Sequence, residues 1–262
     1  MQTVETTTMH PITIDDVSVV FDTADGKLTA LENVSVSLEG QSFTSLLGPS
    51  GCGKSTLLRL VADLLEPTSG TVSVLGESPE AARTSRHLGF VFQDAALLPW
   101  RDALHNVLLP LEIGPGNITN EDKARASELL ALVGLEGREG ALPSQLSGGQ
   151  RQRVSIARAL ITKPKVLLMD EPFGALDEIT RDRLNEELLR IWQLTKTTIV
   201  FVTHSIAESV FLSQRVVVMS ALPGRVRHVV DIDLPDERTR EVRALPEFAR
   251  YVTQLRNLLE GA

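Results

Sequence analysis

The stretch Gly48-Pro49-Ser50-Gly51-Cys52-Gly53-Lys54-Ser55 fits G-x-x-x-x-G-K-[ST] and constrains the chain more than any other segment. Before it, Phe43–Leu47 is a short apolar run with strand character. After Lys54 the apolar period becomes helical. Leu57, Leu58, Val61, Ala62 and Leu65 fall on one face, and Pro67 with Gly70 ends the helix. Strand, glycine-rich turn and helix together make a phosphate cradle. Glycines let successive backbone N–H groups converge on phosphate oxygens, and the helix N-terminus adds its dipole. In that setting Lys54 reaches the β- and γ-phosphates and the Ser55 hydroxyl binds Mg²⁺, with Thr56 next in the helix. The segment from Gly48 to Thr56 is expected to bind a nucleoside triphosphate.

The rest of the chain supplies a sheet for this loop. Ile12–Val20 alternates like a half-buried strand, and Val34, Val36 and Leu38 repeat the period, with a turn at Asp25-Gly26 between them. Thr71–Leu75, Leu88–Phe92, Val166–Met169, Thr198–Val202 and Val216–Met219 also read as strands. Helices are expected over Thr119–Leu132, where Asp122 completes a capping box, over Ser147–Ile161, and over Ser205–Leu212. Leu184, Leu188 and Ile191 mark another helix face, and Pro246–Glu260 a last one. Pro99, Pro110 and Pro115 are expected to break up Asp94–Asn120. Alternating strands and helices imply an α/β fold with a mostly parallel, covered sheet, into which a helical stretch at about 94–160 is inserted.

Two acids follow the strand Val166–Met169. In an open α/β sheet ligands sit at the carboxyl ends of strands, so Asp170 emerges beside the phosphate loop, where it would hold Mg²⁺. Glu171, one residue on, is placed to polarise the attacking water as general base. A second anion site is written in Leu146-Ser147-Gly148-Gly149-Gln150-Arg151. Ser147 and the two glycines fall where a helix begins, with free N–H groups and a hydroxyl.

With this segment the chain resembles the nucleotide-binding subunit of ABC transporters. Gln93, after Val91-Phe92, matches the Q-loop glutamine of that family, which contacts Mg²⁺ and the γ-phosphate. Gly174-Ala175-Leu176-Asp177 resembles the D-loop, with Gly174 where many members have serine. His204 matches the switch histidine, and Phe21 falls where the family stacks an aromatic on adenine, although a strand-end core role fits Phe21 as well. The resemblance implies a P-loop NTPase (RecA-like) core with an N-terminal antiparallel β subdomain and an inserted helical subdomain, over residues 12–232. Residues 233–262 would form a short helical tail. It also implies two copies, or a copy and a related subunit, facing head to tail. ATP would lie between the phosphate loop of one and Ser147, Gly148, Gly149 and Gln150 of the other, with Asp177 nearby. Two integral-membrane permease subunits would be the direct partners, and a periplasmic or lipoprotein binding protein an indirect one.

Phe92–Arg101 and Pro172–Asp177 are similar to the nitrate/sulfonate/taurine importer group, so an anion such as an alkanesulfonate, taurine or nitrate is the expected cargo. Asp177–Arg181 with Asn185–Leu188 is also similar to importers of pyrimidine thiamine precursors. Trp100, between Pro99 and Arg101, suits either the core of the helical region or a permease contact. Cys52 reads as a small filler of the loop. Arg225, Arg227 and the mixed charges of Asp236–Arg243 read as a solvated tail face.

Composition removes other classes. Lys and Arg number 26 against 34 Asp and Glu, a net charge of −8, which disfavours a broad nucleic-acid surface. One cysteine excludes an internal disulfide and a four-cysteine zinc module. No apolar run approaches the eighteen or so residues of a membrane span, and the polar Met1–Pro11 has no signal core. The expected location is the cytoplasmic face of the inner membrane, held there by a permease. A soluble, non-transport ABC ATPase would share every nucleotide motif, and a small-molecule kinase only the first.

Overall fold

A computed structural model describes residues 10–24, 26–114, 116–174, 176–235 and 237–261. Met1–Met9, Asp25 of the expected turn, Pro115, Ala175 of the D-loop, Asp236 and Ala262 lie outside the described residues.

Strand β1 (Ile12–Thr23) pairs antiparallel with β2 (Gly26–Leu38) on one side. On its other side it pairs, again antiparallel, with a strand that arrives later in the chain, Ser69–Val74. Strand β3 (Phe43–Leu47) leads into helix α1 (Lys54–Val61), and Ser69–Val74 is β4. Helix α1 stops four residues before the expected end. Asp63 turns left-handed (φ 57°), and Leu64 N–H donates to Arg59 O at 2.9 Å, while Leu65 still packs on the core beyond the helix. A short helix α2 (Pro79–Thr84) then precedes β5 (Leu88–Val91).

Within the expected break over Asp94–Asn120, the stretch around Pro110 is a helix instead, while the segment around Pro99 is irregular as expected. Helix α3 (Ala103–Glu112) carries Pro110 in its last turn. Proline removes one helical hydrogen bond there, and burial of Ala103, Val107 and Leu108 outweighs the loss. Asp102 caps it by accepting from His105 N–H at 2.8 Å. The buried Asn106 side chain accepts from Leu98 N–H at 2.8 Å and donates to Arg101 O at 2.9 Å, which fixes the loop bearing Trp100. Helix α4 (Asn120–Leu132) begins at the predicted Thr119–Asp122 box, and α5 (Gly148–Leu160) at Ser147.

Strand–helix alternation resumes with β6 (Val166–Asp170), α6 (Glu178–Thr195), β7 (Thr198–Thr203), α7 (Ile206–Leu212) and β8 (Arg215–Met219). Strand β9 (Val226–Asp231) and helix α8 (Pro246–Glu260) close the chain. The main sheet has the order β5-β6-β7-β3-β8-β9, parallel except for β9. Its central strands are buried on both faces, as expected of a covered parallel sheet. Alternate residues serve two cores. Leu167, Met169, Ile199 and Phe201 pack with α3 to α8, whereas Val166, Leu168, Val200 and Val202 pack with α1 and the antiparallel sheet.

The tail is less solvated than its charges imply. Arg238 is 5% exposed and donates to Val210 O, Phe211 O and Ser213 O at 2.8–3.1 Å, closing the end of α7. Arg243 grips both carboxylate oxygens of Asp182 on α6, at 2.7 and 2.9 Å, and lies over the Phe211 ring. Arg225, paired with Glu32, and Arg227 keep the expected exposed character, as do Glu237, Arg240 and Glu241.

Candidate nucleotide site

The phosphate loop connects β3, at the centre of the sheet, to α1. Gly53 caps α1 with φ 89°, a left-handed conformation that favours glycine, and among the described residues no side-chain hydrogen bond caps the helix's free N–H groups. Lys54 is 5% exposed, and its ammonium curls back into the loop. It donates to Gly48 O and Pro49 O, both at 2.9 Å, and lies 3.6 Å from Cys52 Sγ. A buried cation held by carbonyl dipoles and a thiol, with no carboxylate bonded to it among the described residues, sits where an incoming polyanion gains most from it. Cys52 is buried, in accord with its expected filler role.

Asp170 ends β6, two strands away from β3, and meets the loop across the end of β7. Ser55 Oγ donates to Asp170 Oδ1 at 2.7 Å. Burial pushes the Asp170 carboxyl upward, while the Ser55 hydroxyl, Arg59 and Lys54 pull it down. These two oxygens fit Mg²⁺, a hard cation that takes few protein ligands and completes its shell with phosphate and water. Among the described residues no cluster of three or more His, Cys, Asp or Glu offers a cage for a metal.

Glu171 adopts φ 43°, an uncommon left-handed conformation for a residue with a side chain, held by its N–H to Val202 O at 3.1 Å. The turn brings Glu171 Oε2 to 3.4 Å from His204 Nδ1, just past the end of β7. Gln93 reaches the same place from β5. A Cβ on Gly174 would lie 3.6 Å from Glu171 Oε2 and 3.8 Å from Gln93 Nε2. The carboxyl ends of β3, β5, β6 and β7 thus gather Lys54, Ser55, Asp170, Glu171, His204 and Gln93.

Ser147, Gly148, Gly149 and Gln150 are elsewhere. Ser147 Oγ accepts from Gln150 N–H at 3.2 Å and Gln150 Oε1 accepts from Ser147 N–H at 2.9 Å, so their hydrogen bonds stay within one turn. Among the described residues no hydrogen bond or ion pair joins them to the phosphate loop. Ser147 and Gly148 are exposed, and Gly149 packs on Thr180 at the start of α6. Asp177 caps that helix, accepting from Thr180 N–H at 3.0 Å, which holds its carboxyl below the usual range. Phe21, near the end of β1, is 37% exposed. Trp100 is 71% exposed and does not belong to the helical core.

Two features escaped the sequence. Gly224 lies against the back of the phosphate loop, where a Cβ would come within 2.1 Å of Cys52 O. The local signal was the Pro223-Gly224 pair, which reads only as a turn. A cleft of about 390 Å³ opens between β5 and α3, lined by Phe90, Phe92, Ile113, Arg83, Arg86 and Arg158. Phe92 and Ile113 stand out among the exposed apolar side chains there.

Residues 31–174, more than half of the chain, match the family described as ABC transporter. The aliphatic sulfonates import ATP-binding protein SsuB of Bacillus cereus is 41% identical over 243 residues, covering 93% of this chain and 94% of the relative. The nitrate import ATP-binding protein NrtD of Synechocystis is 43% identical over 259 residues, covering 97% and 96%. A dimeric ATP-binding cassette, solved in a post-hydrolysis state with ADP and Pi, superposes with a TM-score of 0.74 at 33% identity, covering 86% of this chain and all of that one. Phosphate loop, paired acids and P-loop α/β architecture agree with these relationships. The chain belongs to the ABC transporter family, as an ATP-binding subunit that hydrolyses ATP.

Proposed function

We propose that this chain is the ATP-driven motor of an importer for a small anion. Two copies would close head to tail on two ATP molecules, acting on a separate pair of permease subunits. The observation that carries this is the gathering of Lys54, Ser55, Asp170, Glu171 and His204 at one end of the sheet, while the exposed Ser147 turn is left for a phosphate on another copy. Phe21 would stack on adenine, and the N–H groups from Gly48 to Thr56 would bind the phosphates. Ser55 and Asp170, with Gln93, would hold Mg²⁺, which screens phosphate charge when bound. Glu171 takes a proton from the attacking water as its oxygen bonds to the γ-phosphorus. The bond to the β–γ bridging oxygen breaks, and ADP and phosphate leave. His204 positions that water and the γ-phosphate. Loss of one phosphate then loosens the closed pair, and Ser147 with Gly148, Gly149, Gln150 and Asp177 releases its hold.

The helical region at about 94–160 is the arm toward the membrane. Among the described residues no helix is long and apolar enough to cross a bilayer, and a separate permease would supply the transport path. Trp100 and the cleft between β5 and α3 suit contact with the permease, which would hold the chain at the cytoplasmic face of the membrane. Relatives of nearly equal identity are named for sulfonates and for nitrate, which supports a small anion without choosing one.

Glu171→Gln tests the mechanism. With ATP it is expected to stop turnover and shift the chain to a dimer in light scattering; near-normal hydrolysis removes Glu171 as the base. For the cargo, a strain lacking the gene should fail on an alkanesulfonate as sole sulfur source and be rescued by wild type but not by Lys54→Ala. Normal growth moves nitrate to the front.

A further inference from the structure

Glu208 has no part in the chemistry above, yet it is 6% exposed, in the first turn of α7. The pattern Ser205-x-x-Glu208 looks like a capping box, and Ser205 Oγ does accept from Glu208 N–H at 3.3 Å. The Glu208 carboxylate, however, does not return to Ser205 N–H. Thr203 takes that place: its Oγ1 accepts from Ser205 N–H at 3.0 Å and gives its only hydrogen to Glu208 Oε2. His204 is the residue enclosed between Thr203 and Ser205. A hydroxyl whose proton is committed presents its lone pairs in a fixed direction, so Glu208 sets the backbone on both sides of His204.

The same carboxyl faces α6, the helix capped by Asp177. Glu208 and Asn185 line one small cavity with Arg181, Asp182 and Arg243, and Glu208 Oε1 and Asn185 Oδ1 are both buried there without a donor. Facing Glu208 are Arg181 and Asn185 from α6, Arg243 from the tail, and Thr203 and His204 from the end of β7. A buried acceptor without a donor is costly, and turning the Asn185 amide, or a proton on Glu208, would join the two groups. Either arrangement makes a direct tie from Glu208 to α6.

We infer that Glu208 is a positioning residue for ATP hydrolysis: through Thr203 it holds His204 in register with Glu171, and through Asn185 it ties that position to the helix behind Asp177. This rests on His204 acting at the γ-phosphate. Single-turnover hydrolysis by the full chain, with enzyme in excess over labelled ATP, tests both points separately. His204→Ala alone tests the role of His204, and a wild-type rate there removes it. Glu208→Ala and Thr203→Val are each expected to slow the chemical step roughly ten- to a hundredfold, the scale of a small misplacement, with ATP half-saturation within about twofold of wild type. Glu208→Gln can accept from Thr203 and donate to Asn185, and is expected to restore the rate. In a His204→Ala background, Glu208→Ala should add less than about a twofold loss, because its effect is already spent. The inference is overturned by a full further loss in that background, by a weakened ATP half-saturation with an unchanged rate, or by Glu208→Gln being as slow as Glu208→Ala. Glu208→Gln and Thr203→Val preserve shape, so they keep the test valid where Glu208→Ala fails to fold.

Discussion

Replacing Gly224 by alanine should damage ATP binding from outside the nucleotide site. Gly224 is tied to Ala30 O by its own N–H and to Glu32 N–H by its carbonyl, both at 3.0 Å, so its backbone has little freedom to retreat. An added Cβ would stand 2.1 Å from Cys52 O, 2.9 Å from Ala30 O and 3.0 Å from Leu31 Cδ2. The first contact is backbone and cannot rotate away, so the Cys52 peptide must move by about 1 Å. Overpacking of this kind costs about 1–3 kcal/mol. A chain of this size loses about 2–4 °C of Tm per kcal/mol, so melting should fall by roughly 2–12 °C. The Cys52 peptide belongs to the phosphate cradle. If 1.4 kcal/mol of the strain appears as a misshapen cradle, the Kd for ATP rises about tenfold. Calorimetric ATP titration and a thermal melt would measure both terms, with Gly140→Ala as control, since nothing lies within 4 Å of a Cβ there. Unchanged affinity and a Tm equal to that of the control would refute a rigid contact between this turn and the loop.

Arg238→Met keeps the stem but removes the donors that close α7, at an expected cost of roughly 2–4 kcal/mol, read as a drop of about 4–16 °C in Tm. A melt indistinguishable from wild type would return Arg238 to the solvated face. Burial pushes the Glu208 carboxyl above its ordinary 4.5, against the pull of Thr203, Arg181, Asn185 and His204. The folded chain then keeps a proton that the unfolded chain releases, so this contribution is full below about pH 4.5 and fades as pH rises through the raised value. Glu208→Gln, neutral throughout, should gain stability relative to wild type between pH 5 and pH 8; a difference in Tm that stays flat with pH contradicts it. Phe21→Ala should weaken ATP binding several-fold without lowering Tm appreciably, and unchanged affinity would leave Phe21 a strand-end residue.

Legibility followed range. The Thr119–Asp122 box and the cap at Ser147 were readable because each signal lies within four residues of what it controls. The phosphate loop and the acids after β6 were readable for the same reason, and the carboxyl-end rule for parallel sheets brought them together. Helix α3 was hidden because Pro110 looks like a breaker, and only packing of Val107 and Leu108 shows that it is tolerated. Helix α2 carries a local signal, Ser78 before Pro79. The buried role of Arg238 is hidden from local sequence because its acceptors are carbonyls about 25 residues away, at the end of a helix whose exact stop the sequence leaves open. Gly224 and Glu208 act through contacts that exist only after the strands have assembled.

The strict alternation of β6 and β7 between two cores bears on how such a chain diverges. Leu167 and Leu168 are neighbours in sequence but answer to different surroundings, one to the helices and tail, the other to α1 and the antiparallel sheet. A volume change on one side is met first by neighbours in the same core, although Leu47 and Phe173 join the helical core to the edge of the nucleotide site. Selection can therefore recut the helical face, which the proposed function turns toward a permease, with less effect on the packing of α1 and the antiparallel sheet. A lineage built this way can trade one cargo system for another without rebuilding its engine, as expected where relatives at 41% and 43% identity are named for different anions.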